Sequence, residues 1–155
     1  MNEHEGSGAD GLRKVSVSEV RTAVPTSVGV EAGMVTLRED QTPYRAVSIV
    51  IGQPEARAIH AAWSGQVQLR PSTWDLFIST VALLDARLER AVITAVEEGR
   101  HFYATVELER DGDRRVLSAR PSDAIALALR AFGAEMFVAE QVLTDLGLGE
   151  PQVDN

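Results

Sequence analysis

The chain contains no cysteine, which excludes disulfides, thiolate metal sites and thiol nucleophiles. Histidine is scarce: only His4, His60 and His101 occur. Neither His60 nor His101 has a ligand-like neighbour spacing, so a two-histidine metal site requires those two to meet in the fold. The glycine-rich phosphate loop, the His-Glu-x-x-His pair and the Gly-x-Ser-x-Gly elbow are all missing. No apolar run approaches membrane-spanning length. The N-terminus lacks the basic start and apolar stretch of a signal peptide, so the cytoplasm is the expected location and no membrane partner is expected. Lysine is reduced to Lys14, leaving a basic complement made almost entirely of arginine. The formal net charge of −8 works against a broad phosphate-tracking surface, because duplex binding draws much of its strength from neutralised phosphates.

What is present fits one α+β domain. At 155 residues the chain is long enough for a real hydrophobic core. Residues 1–13 read as a disordered polar leader, 14–148 as the folded domain and 149–155 as a flexible tail. Strands are expected from Val15 to Val24, at residues 33–37 and at residues 44–51, the last apolar on both faces as a central strand would be. A helix carrying Ile59, Ala62 and Trp63 follows Pro54 and stops at Gly65. Ser72 or Thr73 caps a second helix, whose apolar face is read as Leu76, Thr80 and Leu83 with Phe77, Val81 and Leu84 beside them. A strand is expected over 88–97, alternation marks another over 101–110, and Asp111-Gly112 is a hairpin turn signal into a strand over 114–119. A short strand over 135–138 and a last helix over 139–146 complete the list. Hairpins together with strand–helix–strand segments predict a mixed, mainly antiparallel sheet with helices packed over it, and apolar edge strands make a homo-oligomer reasonable.

The organising stretch is Arg120-Pro121-Ser122-Asp123-Ala124-Ile125-Ala126-Leu127-Ala128-Leu129-Arg130. Pro121 suits a first helical turn, and Ser122 or Asp123 is placed to accept from free N–H groups there. Ile125, Leu129 and Phe132 recur at helical spacing, which predicts a helix running to Gly133. Asp123 has two readings. It stabilises a helix start, or it binds a divalent cation or positions water while Arg120 and the helix N–H groups hold a phosphate. Glu55 occupies a similar helix-start position, as does Glu140. Residues 47–56 and 116–124 echo one another weakly: strand, proline, acid, alanine-rich helix, with a one-residue slip at the acid.

Five blocks resemble the bifunctional nuclease family in order as well as wording. Ile51-Gly52-x-x-Glu55-Ala56-x-Ala58-Ile59 is similar to its “IG..EA.AI” block, Arg70-Pro71-x-Thr73-x-Asp75-Leu76 to “RP.THDL”, and Phe102-Tyr103-Ala104 to “FYA”. Residues 120–128 match “RPSDAIALA”, and Phe137-Val138-Ala139-Glu140-x-Val142-Leu143 resembles “FVAEEVL”. The resemblance implies a nuclease that hydrolyses phosphodiester bonds of DNA or RNA with a divalent metal, Mg²⁺ or Mn²⁺. Its candidate residues are Asp123 and Glu55 as metal ligands or base, and Arg120 and Ser122 on the substrate. Three departures stand out: Trp74 where the family usually has histidine, Gln141 for the second acid of “AEE”, and Glu135 for a proline. The competing reading is a non-catalytic oligomeric binding or regulatory domain on the same scaffold.

Overall fold

The computed structural model describes residues 10–149; most of the expected leader and tail lies outside them. The elements in chain order are β1 (Leu12–Val24), β2 (Ala32–Glu39), β3 (Ala46–Ile51), α1 (Gln53–Trp63), α2 (Thr73–Leu83), β4 (Arg87–Glu97), β5 (His101–Arg110), β6 (Asp113–Ala119), α3 (Pro121–Ala128), β7 (Glu135–Ala139) and α4 (Glu140–Leu146). Leu12 and Arg13, read above as the end of the leader, already belong to β1. The seven strands form one sheet in the order β3-β2-β1-β7-β4-β5-β6. Every neighbouring pair is antiparallel except β4 and β7, which are parallel.

Alternation builds the core. Val15 and Val17 of β1, Val35 and Leu37 of β2, and Ala104 and Val106 of β5 are buried in one cluster with Ile59 of α1, Ile125 and Leu127 of α3, and Val142 and Leu143 of α4. At the β5–β6 hairpin Asp111 and Gly112 both have positive φ, 53° and 79°, the backbone of a two-residue turn that matches strand twist. Gly33 of β2 lets α1 approach the sheet, since a Cβ there would lie 2.2 Å from the Ala56 Cβ.

Three expectations are corrected. The strand at 46–51 is an edge, not a central strand: Val47 and Ile49 point inward while Ser48 and Val50 face solvent, so the two-sided signal came mainly from one exposed valine. In α2 the face that packs inward is Trp74, Phe77, Ile78 and Val81, whereas Leu76, Leu83 and Leu84 are exposed; apolar residues all round the helix hid its phase. The organising helix ends at Ala128, Leu129 is its half-buried C-cap, and Phe132 is fully exposed at 105 %. α3 packs against α1, α2, β4, β5 and β7 and buries residues 124–128 without a break. A helix covered on several sides carries no single apolar stripe from which to read a period.

The sheet order also shows a structural repeat. β1–β2–β3–α1 and β4–β5–β6–α3 are each a three-stranded antiparallel meander running into a helix, with β7 between the two. The N-cap residues match, with φ/ψ of −65°/150° at Gly52 and −67°/145° at Arg120. Aligned on these caps, Glu55 and Asp123 are each the third helical residue, so the slip falls at the proline instead of the acid.

Candidate active site

The two helix starts deliver their acids to one arginine. Arg120 Nε donates to Asp123 Oδ2 at 2.8 Å, and its Nη2 lies 3.3 Å from Asp123 Oδ1 and 3.5 Å from Glu55 Oε1. Helix α2 closes the cluster, where Trp74 Nε1 donates to Asp123 Oδ1 at 3.1 Å. Gly52 leaves room for this arrangement: a Cβ at that position would sit 2.1 Å from Glu55 Oε2. Glu55 and Asp123 are largely covered, while the Arg120 side chain is 65 % exposed. Asp123, and after it Glu55, raises the Arg120 pKa above the usual arginine value.

Asp123 lies in the first turn of α3, where its charge opposes the helix dipole favourably, but it makes no capping hydrogen bond. Its carboxylate bonds to Arg120 and Trp74, and α3 has no side-chain bond at its cap. Ser122 is buried. α2 is the helix with the expected cap: Ser72 Oγ accepts from Asp75 N, and Ser72 N donates to the Asp75 carboxylate at 2.7 Å. Its bonds with Ser72, and then Arg130, hold Asp75 below the usual carboxylate range.

Arg130 carries a role that periodicity did not reveal. Its side chain is only 9 % exposed. It donates to Asp75 Oδ1 at 3.1 Å, Ala126 O at 2.8 Å and Ala58 O at 2.9 Å, and its guanidinium lies 5.8 Å from the Trp74 ring centre. One buried cation thus ties α1, α2 and α3 together beneath the cluster. The available signal was an arginine closing an alanine-rich helix that would otherwise be apolar.

Glu140 belongs to a second cluster built on Glu39, whose side chain is 1 % exposed. Arg13 Nε lies 2.7 Å from Glu39, and Arg45 bridges Glu39 at 3.0 Å and Glu140 at 2.9 Å. Burial pushes the Glu39 carboxyl up, but hydrogen bonds from Arg45 and Arg13 outweigh it and hold the pKa below the ordinary value. These charges satisfy one another and leave no free acid for chemistry. His60 packs edge-on to Trp63, and His101 is exposed at the start of β5 beside Glu98. Among the described residues no group of three or more His, Asp or Glu side chains forms a metal cage.

Residues 35–150 match the bifunctional nuclease domain. The chain belongs to the bifunctional nuclease domain family. It is 40 % identical over 104 residues to two uncharacterized proteins of Mycobacterium tuberculosis, Rv1829 of strain H37Rv and MT1877 of strain CDC 1551. Each match covers 67 % of this chain and 60 % of the relative, so the chain spans less than two thirds of the length of these relatives. Within the family frame, Glu55, Trp74, Arg120 and Asp123 all come from the blocks that carry the resemblance, and the fold brings three of those blocks to one point. No helix among the described residues is long and apolar enough to cross a membrane.

Proposed function

We propose that this protein is a cytoplasmic nuclease that hydrolyses phosphodiester bonds of single-stranded DNA or RNA at the Glu55–Arg120–Asp123 cluster. The observation that carries this reading is the convergence of two equivalent helix-start acids on a single exposed arginine. The cluster holds one carboxylate more than it holds cations, which suits a divalent ion. Glu55 and Asp123 would hold Mg²⁺ or Mn²⁺; such ions are commonly bound by one or two carboxylates together with substrate phosphate and water. When bound, the ion supplies Lewis-acid polarisation of the phosphoryl oxygen and a more acidic water.

The protein's own groups account for the remainder. Arg120 pairs with both acids at rest and offsets one of their two charges, and its exposure lets the guanidinium turn onto a phosphate, which it can grip bidentately. The first-turn N–H groups of α3 add donors on that side. Trp74 fixes the Asp123 carboxylate through its indole N–H. An indole donates but does not accept a proton, so the acid–base work of a histidine at this place is absent and water activation falls to Asp123 or Glu55. That same substitution favours the second reading, a non-catalytic binding domain.

The discriminating experiment is metal-dependent cleavage of a single-stranded substrate by wild type and Asp123→Asn purified identically, with a chelator control. Asparagine keeps the shape and loses the charge. Activity should fall about 10²-fold or more while thermal stability is nearly unchanged. Equal cleavage by both proteins would remove Asp123 from the site, and no cleavage by wild type would leave the binding domain as the function.

A further inference from the structure

A cavity of about 430 Å³ opens beside the active-site cluster, between the second half of α1, the segment leading to α2, and the end of α3. Its size lies within the range of small-molecule sites, about 300–1,000 Å³. Gln66, Gln68, Arg70 and Ser79 line it, with Asp75 and Arg130 on its wall. The segment from 66 to 70 lies at the surface. Gln66, Gln68 and Arg70 face the cavity, while Val67 and Leu69, which alternate with them, are 98 % and 105 % exposed. Gln66, Gln68 and Arg70 are themselves exposed, so the cavity is an open one with polar groups at its rim. Arg130 and Asp75 already bond to each other. The side chains of Gln66, Gln68 and Arg70 make no hydrogen bond or ion pair among the described residues, so three polar groups at the rim are open to a ligand.

We infer that this cavity is a subsite for one nucleotide of a single-stranded nucleic acid, with Arg70 on a phosphate and the amides of Gln66 and Gln68 on the base edge. The inference rests on the nuclease reading and extends it beyond the reacting phosphate. Three observations select this ligand. Arg70 offers a bidentate cation at the rim. Glutamine amides pair with base edges, which are open to them in an unstacked strand. The cavity wall is also joined to the reacting cluster through one side chain, since Trp74 lies 5.8 Å under the Arg130 guanidinium and donates to Asp123 at 3.1 Å. A duplex keeps its bases stacked and does not offer one to a concave site.

The test is binding of a short fluorescein-labelled single-stranded DNA oligonucleotide to the full chain, measured by anisotropy across a salt series with chelator present. Arg70→Ala should weaken binding about fivefold or more and lower the magnitude of the salt slope by about 0.7, the value of one lost phosphate contact on a single strand. Arg70→Lys should keep the slope, and Gln66→Ala with Gln68→Ala should weaken binding without changing it. Arg70 is exposed, so thermal denaturation of its variants should match wild type. Wild-type affinity and slope in Arg70→Ala would overturn the subsite, as would no binding by wild type, or equal dependence on Arg70 for duplex of the same sequence. Cleavage is assayed separately with metal. Binding that depends on Arg70 without any cleavage leaves the subsite standing and removes the nuclease; cleavage with binding indifferent to Arg70 does the reverse.

Discussion

The two meander–helix halves are alike where they meet the core and unlike where they meet each other. Aligned on their N-caps, Ala56 matches Ala124, Ala58 matches Ala126 and Ile59 matches Leu127, and all six are buried. The next comparisons break the likeness. Arg57 is exposed where Ile125 is 1 % exposed, because α3 lies in the middle of the helical layer with α1 and α2 packed on it. Gly52 stands where the second half has Arg120, and Ala62 where it has Arg130. The repeat supplies two acids in equivalent places; the departures from it supply the cation between them and the cation beneath them. The candidate site is thus made from symmetry at the carboxylates and its loss at the arginines.

The largest test of this contrast is a matched pair. Ile125→Ala should lose about 2–5 kcal/mol of unfolding free energy, as expected for a buried aliphatic side chain, whereas Arg57→Ala at the equivalent position should stay within about 0.5 kcal/mol. Equal losses in denaturant titrations would show that α3 is no more enclosed than α1. A smaller effect separates the halves by pH. Glu39 belongs to the first half, and its arginine partners lower its pKa below the ordinary 4.5. Its contribution is therefore complete above that value and is lost as pH falls through the lower folded pKa. Glu39→Gln should cost about 1–3 kcal/mol at neutral pH, the scale of charged hydrogen bonds. It should also flatten the acid limb of a melting-temperature profile; an unchanged limb would place the acid sensitivity elsewhere. The smallest change in stability is expected at Gly52. An added methyl meets only the end of the Glu55 side chain, so Gly52→Ala should alter stability by no more than about 0.5 kcal/mol. It should nevertheless displace the carboxylate and cut cleavage about tenfold, since small misplacements at a reacting centre are costly. Unchanged cleavage would take Glu55 out of the site.

Local chemistry was legible. Alternation placed β5 over His101–Arg110, Asp111-Gly112 marked its hairpin, prolines marked the starts of α1 and α3, and Ser72 marked the start of α2. Both acids were readable as helix-start residues. Their meeting was not, because it depends on tertiary packing: β3 and β6 are opposite edges of the sheet, and α1 and α3 come together only because each packs back over the strands nearer its middle. The phase of α2 was hidden by leucines on its solvent side, and β3 looked central because nothing local states which strand closes a sheet. Arg130 was visible as a residue but silent as a tie, since two of its acceptors are backbone carbonyls on separate helices.

That tie gives the helical layer a common fate. Helices on a sheet can often fray one at a time, and regions that open separately exchange their amide hydrogens at separate rates. Here α2 leaves only if Arg130 gives up its bonds to Ala58 and Ala126 or Asp75 gives up its charge partner. The amides in the second half of α1, the first turns of α2 and the end of α3 should therefore behave as one cooperative exchange unit, and the acids above them share the persistence of that unit.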